Sequence, residues 1–200
     1  MNRCLICFGG IEESINNNFI CNKCFMKFEI IEKVIFYKGV EILILYSYNE
    51  FFKELLYRYK GCYDYLLKDA FLNNFLIKLK KKYKGRKVVY APSCESEDRL
   101  RGFNHVKEIA KGLNLEVVDC LVKAENYKQS NQVYSNRGDV QKYIKFDKTT
   151  IKKSDSILIV DDVATSLSTV KSIIHLLTTN IDKKVLILAS NCRFMMDELS

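Results

Sequence analysis

The stretch 157–169, Ile-Leu-Ile-Val-Asp-Asp-Val-Ala-Thr-Ser-Leu-Ser-Thr, constrains this chain more than any other. Its first four residues are apolar, too few for a helix and rich in β-branched side chains, which predicts a buried strand of a parallel sheet. The run ends in Asp161 and Asp162. Two carboxylates cannot stay unpaired in a core, so they are expected at the strand's C-terminal edge, where open α/β sheets bind ligands. The hydroxyl residues Thr165, Ser166, Ser168 and Thr169 follow, and Leu167, Val170, Ile173, Ile174 and Leu177 recur at the spacing of one helix face. Strand, acid pair, hydroxyl loop and helix N-terminus together suit a phosphorylated sugar. The acids accept hydrogen bonds from ribose hydroxyls, while loop amides, hydroxyls and the helix dipole hold phosphate. A Walker B strand looks similar, yet none of the eight glycines builds the G-x-x-x-x-G-K-[ST] loop of an ATPase. The plain alternative is a strand ending in solvated acids before a helix capped by Thr165 or Ser166.

A second constraint lies near the start. Cys4, Cys7, Cys21 and Cys24 form two C-x2-C pairs with thirteen residues between them. Each pair can present two thiolates to one tetrahedral metal, and two pairs close a Cys4 site for Zn2+. Such a metal supplies the folding energy that a small segment cannot bury for itself. Two disulfides or a redox C-x-x-C are the alternatives. The first residues lack the uninterrupted apolar region of a secretory signal, so reduced thiols and a cytoplasmic location are expected. No apolar run approaches bilayer length, and membrane insertion is not expected. Cys62, Cys94, Cys120 and Cys192 show no ligand spacing and read as free thiols.

Two hundred residues suit one α/β domain with a small appendage, divided here into 1–38 around the cysteines and 39–200 for the rest. Strands are predicted near 40–46, 88–91, 115–118, 143–146, 157–160 and 184–189. Helices are predicted over 25–34, 51–59 and 64–79, after Asn104, and after the acid pair. This alternation implies a mostly parallel sheet flanked by helices. The formal charge of +8 favours an anionic partner, either nucleic acid or a phosphate-rich ligand. Seven of the ten residues 78–87 are basic, which fits a nucleic-acid footprint or a solvated helix end.

The stretch 157–169 resembles the phosphoribosyl pyrophosphate (PRPP) signature of type I phosphoribosyltransferases. The loop glycine of that signature is here Leu167. A leucine takes left-handed backbone at a cost, so the loop is expected to offer fewer aligned amides and to bind PRPP weakly. Pro92 after a strand, then Arg99, Arg101, Gly102, Phe103 and Asn104, is similar to the basic loop of ComF-like competence proteins, with His105 where glutamine is usual. His105 itself reads as a polar helix start rather than a catalyst. Gln129, Arg137 and Val140 fit a later segment of that family, with Asp139 in place of asparagine. Cysteine finger, arginine loop, Gln/Arg segment and PRPP motif occur in the family's order.

The resemblance implies a type I phosphoribosyltransferase-like fold carrying a small N-terminal Cys4 zinc finger. It implies that Asp161 and Asp162 are the catalytic or ribose-holding acids. Thr165, Ser166, Leu167, Ser168 and Thr169 would hold phosphate, and Arg99 and Arg101 the pyrophosphate. Mg2+ would bridge pyrophosphate and ribose oxygens. It further implies a part in handling incoming single-stranded DNA during natural transformation, with a DNA-uptake helicase or replication-restart proteins as partners. Two activities are compatible with this: a binding or sensor protein, and a phosphoribosyltransferase passing phosphoribosyl to a nucleobase. Leu167 and the lack of a base-binding signature favour the first.

Overall fold

Apolar runs along 40–47, 156–164 and 182–190 become the three central strands of the sheet in the computed structural model, which describes residues 3–11, 19–123, 144–147, 150–177 and 180–191. The strands are β1 (Ile30–Tyr37), β2 (Val40–Ser47), β3 (Lys87–Tyr90), β4 (Leu121–Lys123), β5 (Ile144–Phe146), β6 (Ser156–Ala164) and β7 (Asp182–Ser190). The helices are α1 (Asn22–Phe25), α2 (Glu50–Lys60), α3 (Lys68–Leu72), α4 (Leu76–Lys82), α5 (Glu95–Arg101), α6 (His105–Lys111) and α7 (Ser168–Leu176). The main sheet runs β1-β2-β7-β6-β3, while β4 and β5 form a separate two-stranded sheet. Its pairings are parallel except that β1 and β2 form a hairpin. The hairpin turns on Lys38 and Gly39 at φ 48° and 79°, the left-handed pair that suits the twist of two-residue connections. This is the mostly parallel, helix-flanked sheet that the sequence predicts.

Alternation along each central strand sends neighbouring side chains to opposite faces. Leu43, Leu45, Val88, Leu158, Val160, Leu186 and Leu188 face one core, together with buried residues of α2, α3, α4 and α6. Ile42, Ile44, Val89, Ile157, Ile159, Val185 and Ile187 face the other, against α7 and the small β4–β5 sheet. The helix pair after β3 therefore covers one face, through Val106, Ile109 and Ala110 of α6. The helix after β6 covers the opposite face, through Val170, Ile173 and Ile174 of α7. Adjacent strands whose connections part in this way leave a crevice at their C-terminal ends. β3 and β6 are such neighbours.

Several local expectations change. Of residues 25–34, predicted as a helix, the second half belongs to the edge strand β1, whose exposure alternates along the chain and whose Ile35 is buried. Residues 64–79 are not one helix but a 3-10 turn (Tyr65–Leu67), α3 and α4, interrupted around Asn73 and Phe75. Residues 115–118 make a lone parallel bridge, Val88 to Val117, rather than a strand. The strand predicted at 143–146 pairs as β5 with β4 outside the main sheet. Gln129, Arg137, Asp139 and Val140 lie outside the described residues. Among the described residues no helix is long and apolar enough to cross a membrane.

Candidate functional site

The crevice between the ends of β3 and β6 opens into a cleft of about 370 Å3. Its walls include Pro92, Ser93 and Cys94 after β3, Asp161 and Asp162 of β6, Thr169 of α7, and Lys60, His105 and Lys123. The two acids were expected at the strand's C-terminal edge; they lie in its C-terminal half, since β6 continues to Ala164, and both are buried. Burial is tolerated because each carboxylate has partners, which meets the cost of removing it from water. Asp161 Oδ1 accepts from the Asp162 N–H at 2.9 Å, and Asp162 Oδ1 accepts from the Val163 N–H at 2.8 Å. The other oxygen of Asp162 accepts from His105 Nε2 at 3.0 Å and from the Lys60 ammonium at 3.1 Å.

The pair is electrostatically unequal. Burial pushes the Asp161 carboxyl well above the usual aspartate range, and the neighbouring Asp162 charge adds to it. Burial acts on Asp162 in the same direction, but the hydrogen bond from His105, then the charge and hydrogen bond of Lys60, outweigh it and hold that carboxyl far below the usual range. The cleft thus combines a reluctant acid with a firmly ionised carboxylate.

Beyond the acids the chain turns into α7 through Thr165 and Ser166. Leu167, the N-cap, has φ 48° and ψ 7°, the left-handed conformation that the family's glycine would supply. The expectation that leucine would keep the loop from this shape is therefore overturned. Its side chain is 2% exposed, in the same core cluster as Ala164, Val170 and Ile173, and that burial holds the backbone in place. A leucine also offers no side-chain cap to the first turn of α7, which leaves this helix end to a ligand's anionic oxygens. The Ser166 and Ser168 hydroxyls lie 2.8 Å apart, and Thr169 reaches the cleft wall.

The arginine segment is built differently from the expected loop. Residues 95–101 form α5, closed by Gly102 at φ 81°, and Asn104 then caps α6 by accepting from the Lys107 N–H at 2.9 Å. Arg101 turns inward, its side chain 7% exposed. It donates to the Lys60 carbonyl at 2.9 Å, to Asp98 Oδ1 at 3.0 Å and to His105 Nδ1 at 3.2 Å. Arg99 points outward and pairs with Glu95 at 2.5 Å along the helix. Among the described residues that line the cleft neither arginine appears; Lys60 and Lys123 supply its positive charge. Lys60 gave no sequence signal, since it ends a helix 102 residues before Asp162. His105 had one: it stands where the resemblance put a polar residue. Because Arg101 donates to Nδ1, Nε2 carries the proton given to Asp162.

The four N-terminal cysteines converge, with all four sulfurs within 4.8 Å of one another. Cys7 and Cys21 sulfurs are 3.7 Å apart. Zn–S bonds of about 2.3 Å place tetrahedral sulfurs about 3.8 Å apart, so the thiols fit one metal ion. The chain folds back at the first pair through Cys4 N–H to the Gly9 carbonyl and Phe8 N–H to the Cys4 carbonyl, at 2.8 and 2.9 Å. Burial pushes the Cys4 thiol up, but backbone donors around Cys7, Cys21 and Ile6 outweigh it and bring it down to about 6. Burial, followed by the neighbouring thiols, pushes Cys24 up. The cluster is docked on the domain: Arg58 of α2 donates to the Ile6 carbonyl at 2.8 Å, and Ile6, Ile20 and Phe28 enter the core beneath α2.

The basic stretch lies at the other end of the sheet and is largely paired. Lys78 bonds Glu32, Lys82 meets Glu41 at 2.9 Å, Arg86 meets Asp182 at 2.5 Å, and Lys87 meets Asp155 at 3.2 Å. Lys82, Arg86 and Lys87 brace the starts of β2, β7 and β6, while Lys78 reaches Glu32 within β1.

No family model matches the chain. It is 33% identical over 141 residues to the competence protein ComFC of Streptococcus pneumoniae, a match covering 70% of this chain and 62% of that one. It is 29% identical over 127 residues to ComFC of Bacillus subtilis, covering 62% of this chain and 52% of the relative. The chain thus spans only part of the length of these relatives. A hypoxanthine phosphoribosyltransferase of Staphylococcus aureus superposes in two crystal forms with TM-scores of 0.37 and 0.40 at 13% identity. Those superpositions cover 61% of both chains in one form, and 63% of this chain and 64% of that in the other. Fits this loose add nothing to the strand order described above.

Proposed function

The chain is a ComF-like homologue of the competence protein ComFC, and from that premise we propose that it binds a phosphorylated ribose of the PRPP type and serves as a binding protein in the handling of incoming single-stranded DNA. The observation that carries this reading is the cleft at the β3–β6 crevice. It sets the ionised Asp162 and the neighbouring Asp161 carboxyl, both able to bond sugar hydroxyls, beside an uncapped helix start for phosphate, with Lys60 and Lys123 on its walls. Mg2+ would enter with the pyrophosphate, whose oxygens and the neighbouring acids suit a hard cation. Zn2+ fits the four thiols. The relatives' role in competence, and the net charge of +8, support single-stranded DNA and DNA-uptake or replication-restart proteins as partners in the cytoplasm.

Phosphoribosyl transfer to a nucleobase is kept as a second reading by Leu167, whose left-handed backbone gives the loop a glycine-like shape. Calorimetric titration of PRPP with and without Mg2+ tests binding. Saturable binding is expected, lost when Asp161→Asn and Asp162→Asn are combined. Binding unchanged in the double variant would place the site elsewhere. Pyrophosphate release in the presence of candidate bases separates transfer from binding.

A further inference from the structure

Asp162 is held by two donors of different character. His105 is fixed from several sides: its Nδ1 takes a hydrogen bond from Arg101, its carbonyl takes the Tyr59 hydroxyl at 2.9 Å, and its side chain is 10% exposed. Lys60 is fixed in its backbone alone, where its carbonyl takes the Arg101 Nε–H at 2.9 Å. Its ammonium stands at the end of a flexible stem, and the side chain is 40% exposed on the cleft wall. With the Val163 amide on the other oxygen, the Asp162 carboxylate has a donor at each oxygen and two at Oδ2 before any ligand arrives. A sugar hydroxyl can reach Oδ2 when one of its two donors leaves. The donor free to leave is Lys60.

We propose, resting on the phosphosugar reading of the cleft, that Lys60 selects the ligand by its anionic group, moving from Asp162 to the entering phosphate and so freeing the carboxylate for the ribose. The Lys60 end of the pair is 40% exposed while Asp162 is 13% exposed, so the ammonium can swing into the cleft, and a phosphate offers it more charge and more acceptor oxygens than one carboxylate. His105 keeps Asp162 oriented and compensated during the exchange. An unphosphorylated sugar gives Lys60 nothing to move to, so it meets an Asp162 whose Oδ2 already holds two donors. One residue then couples recognition of the phosphate to exposure of the acid, and specificity arises from exchange rather than from added contacts.

The test uses the full chain with PRPP. Lys60→Met keeps the stem and removes the charge; it should weaken PRPP binding by about tenfold, equivalent to about 1.4 kcal/mol. Lys60→Arg, which retains the charge, should stay within about threefold of the parent. In the parent protein carrying 15N-labelled lysine, the Lys60 ammonium resonance should shift on saturation with PRPP and stay in place with ribose. Wild-type affinity in Lys60→Met, or an unmoved Lys60 resonance in the saturated complex, overturns the exchange while leaving the phosphosugar site standing. Failure of the parent protein to bind PRPP overturns both. The resonance is read in the parent protein, so the result does not depend on how well Lys60→Met folds.

Discussion

Leu167 holds a backbone conformation that costs a side-chain-bearing residue about 1–2 kcal/mol, and the burial of its side chain, worth about 1.5–3 kcal/mol, offsets the strain. Replacing it by glycine relieves the strain but empties a core position. Leu167→Gly is therefore expected to lower stability by about 1–3 kcal/mol in denaturant titration. PRPP affinity should change less than about threefold, because the loop already has the shape that glycine permits. A tenfold gain in affinity would restore the expectation drawn from sequence, that leucine deforms the loop. Asp161 poses the opposite problem. Its folded-state carboxyl is raised, so the folded chain binds a proton that the unfolded chain has lost, and stability falls as pH rises above the unfolded value of about 3.9. Asp161→Asn keeps the acceptor for the Asp162 amide and removes the titration. Its melting temperature should exceed the parent's, with a gap that is wider at pH 7 than at pH 4. A gap that does not grow with pH would mean that Asp161 carries no such penalty. A residue that lowers stability yet is kept at the centre of a cleft fits a functional site.

At the scale of elements, legibility followed whether a pattern was local. The acid pair, the α7 face and the cysteine pairs were readable because each is a run of neighbours with one periodicity or spacing. α5 was not, since Glu95, Glu97 and Asp98 precede the arginines in a helix with no buried apolar residue and no apolar stripe to announce it. Once this segment is helical, Arg101 points inward and Arg99 outward, and the expected pyrophosphate loop dissolves. β1 was missed because an edge strand has one buried face, and its mixed apolar and charged residues suit an amphipathic helix equally well. The strand also alters the place of the cysteine unit, whose chain passes directly into the main sheet. Arg58 ties that unit to α2 two residues before Lys60, so the cysteine cluster and the cleft share a helix. Cys21→Ser is expected to abolish stoichiometric zinc in elemental analysis, to lower the melting temperature, and to weaken PRPP binding several-fold by loosening the end of α2. Retention of one zinc per chain in that variant would remove Cys21 from the ligand set.

For the molecule as a whole, the sheet separates two jobs by its ends. Carboxylates, lysines and the α7 start gather where β3 and β6 finish. Where β3 and β7 begin, Arg86 and Lys87 are occupied with Asp182 and Asp155. Part of the basic composition thus braces strand starts at one end and part forms a small cationic rim at the other, a division that net charge could not disclose. The strand order carries a consequence of another kind. β7 lies between β2 and β6 and is the last strand of the sheet to leave the ribosome. Until it is made, the chain holds two separate pieces, the β1–β2 hairpin and the β3–β6 pair, each with an apolar edge that has no neighbour. The β2 edge is complete at residue 47 and must wait until residues 182–190 arrive, so closing this sheet is a late, long-range step of folding.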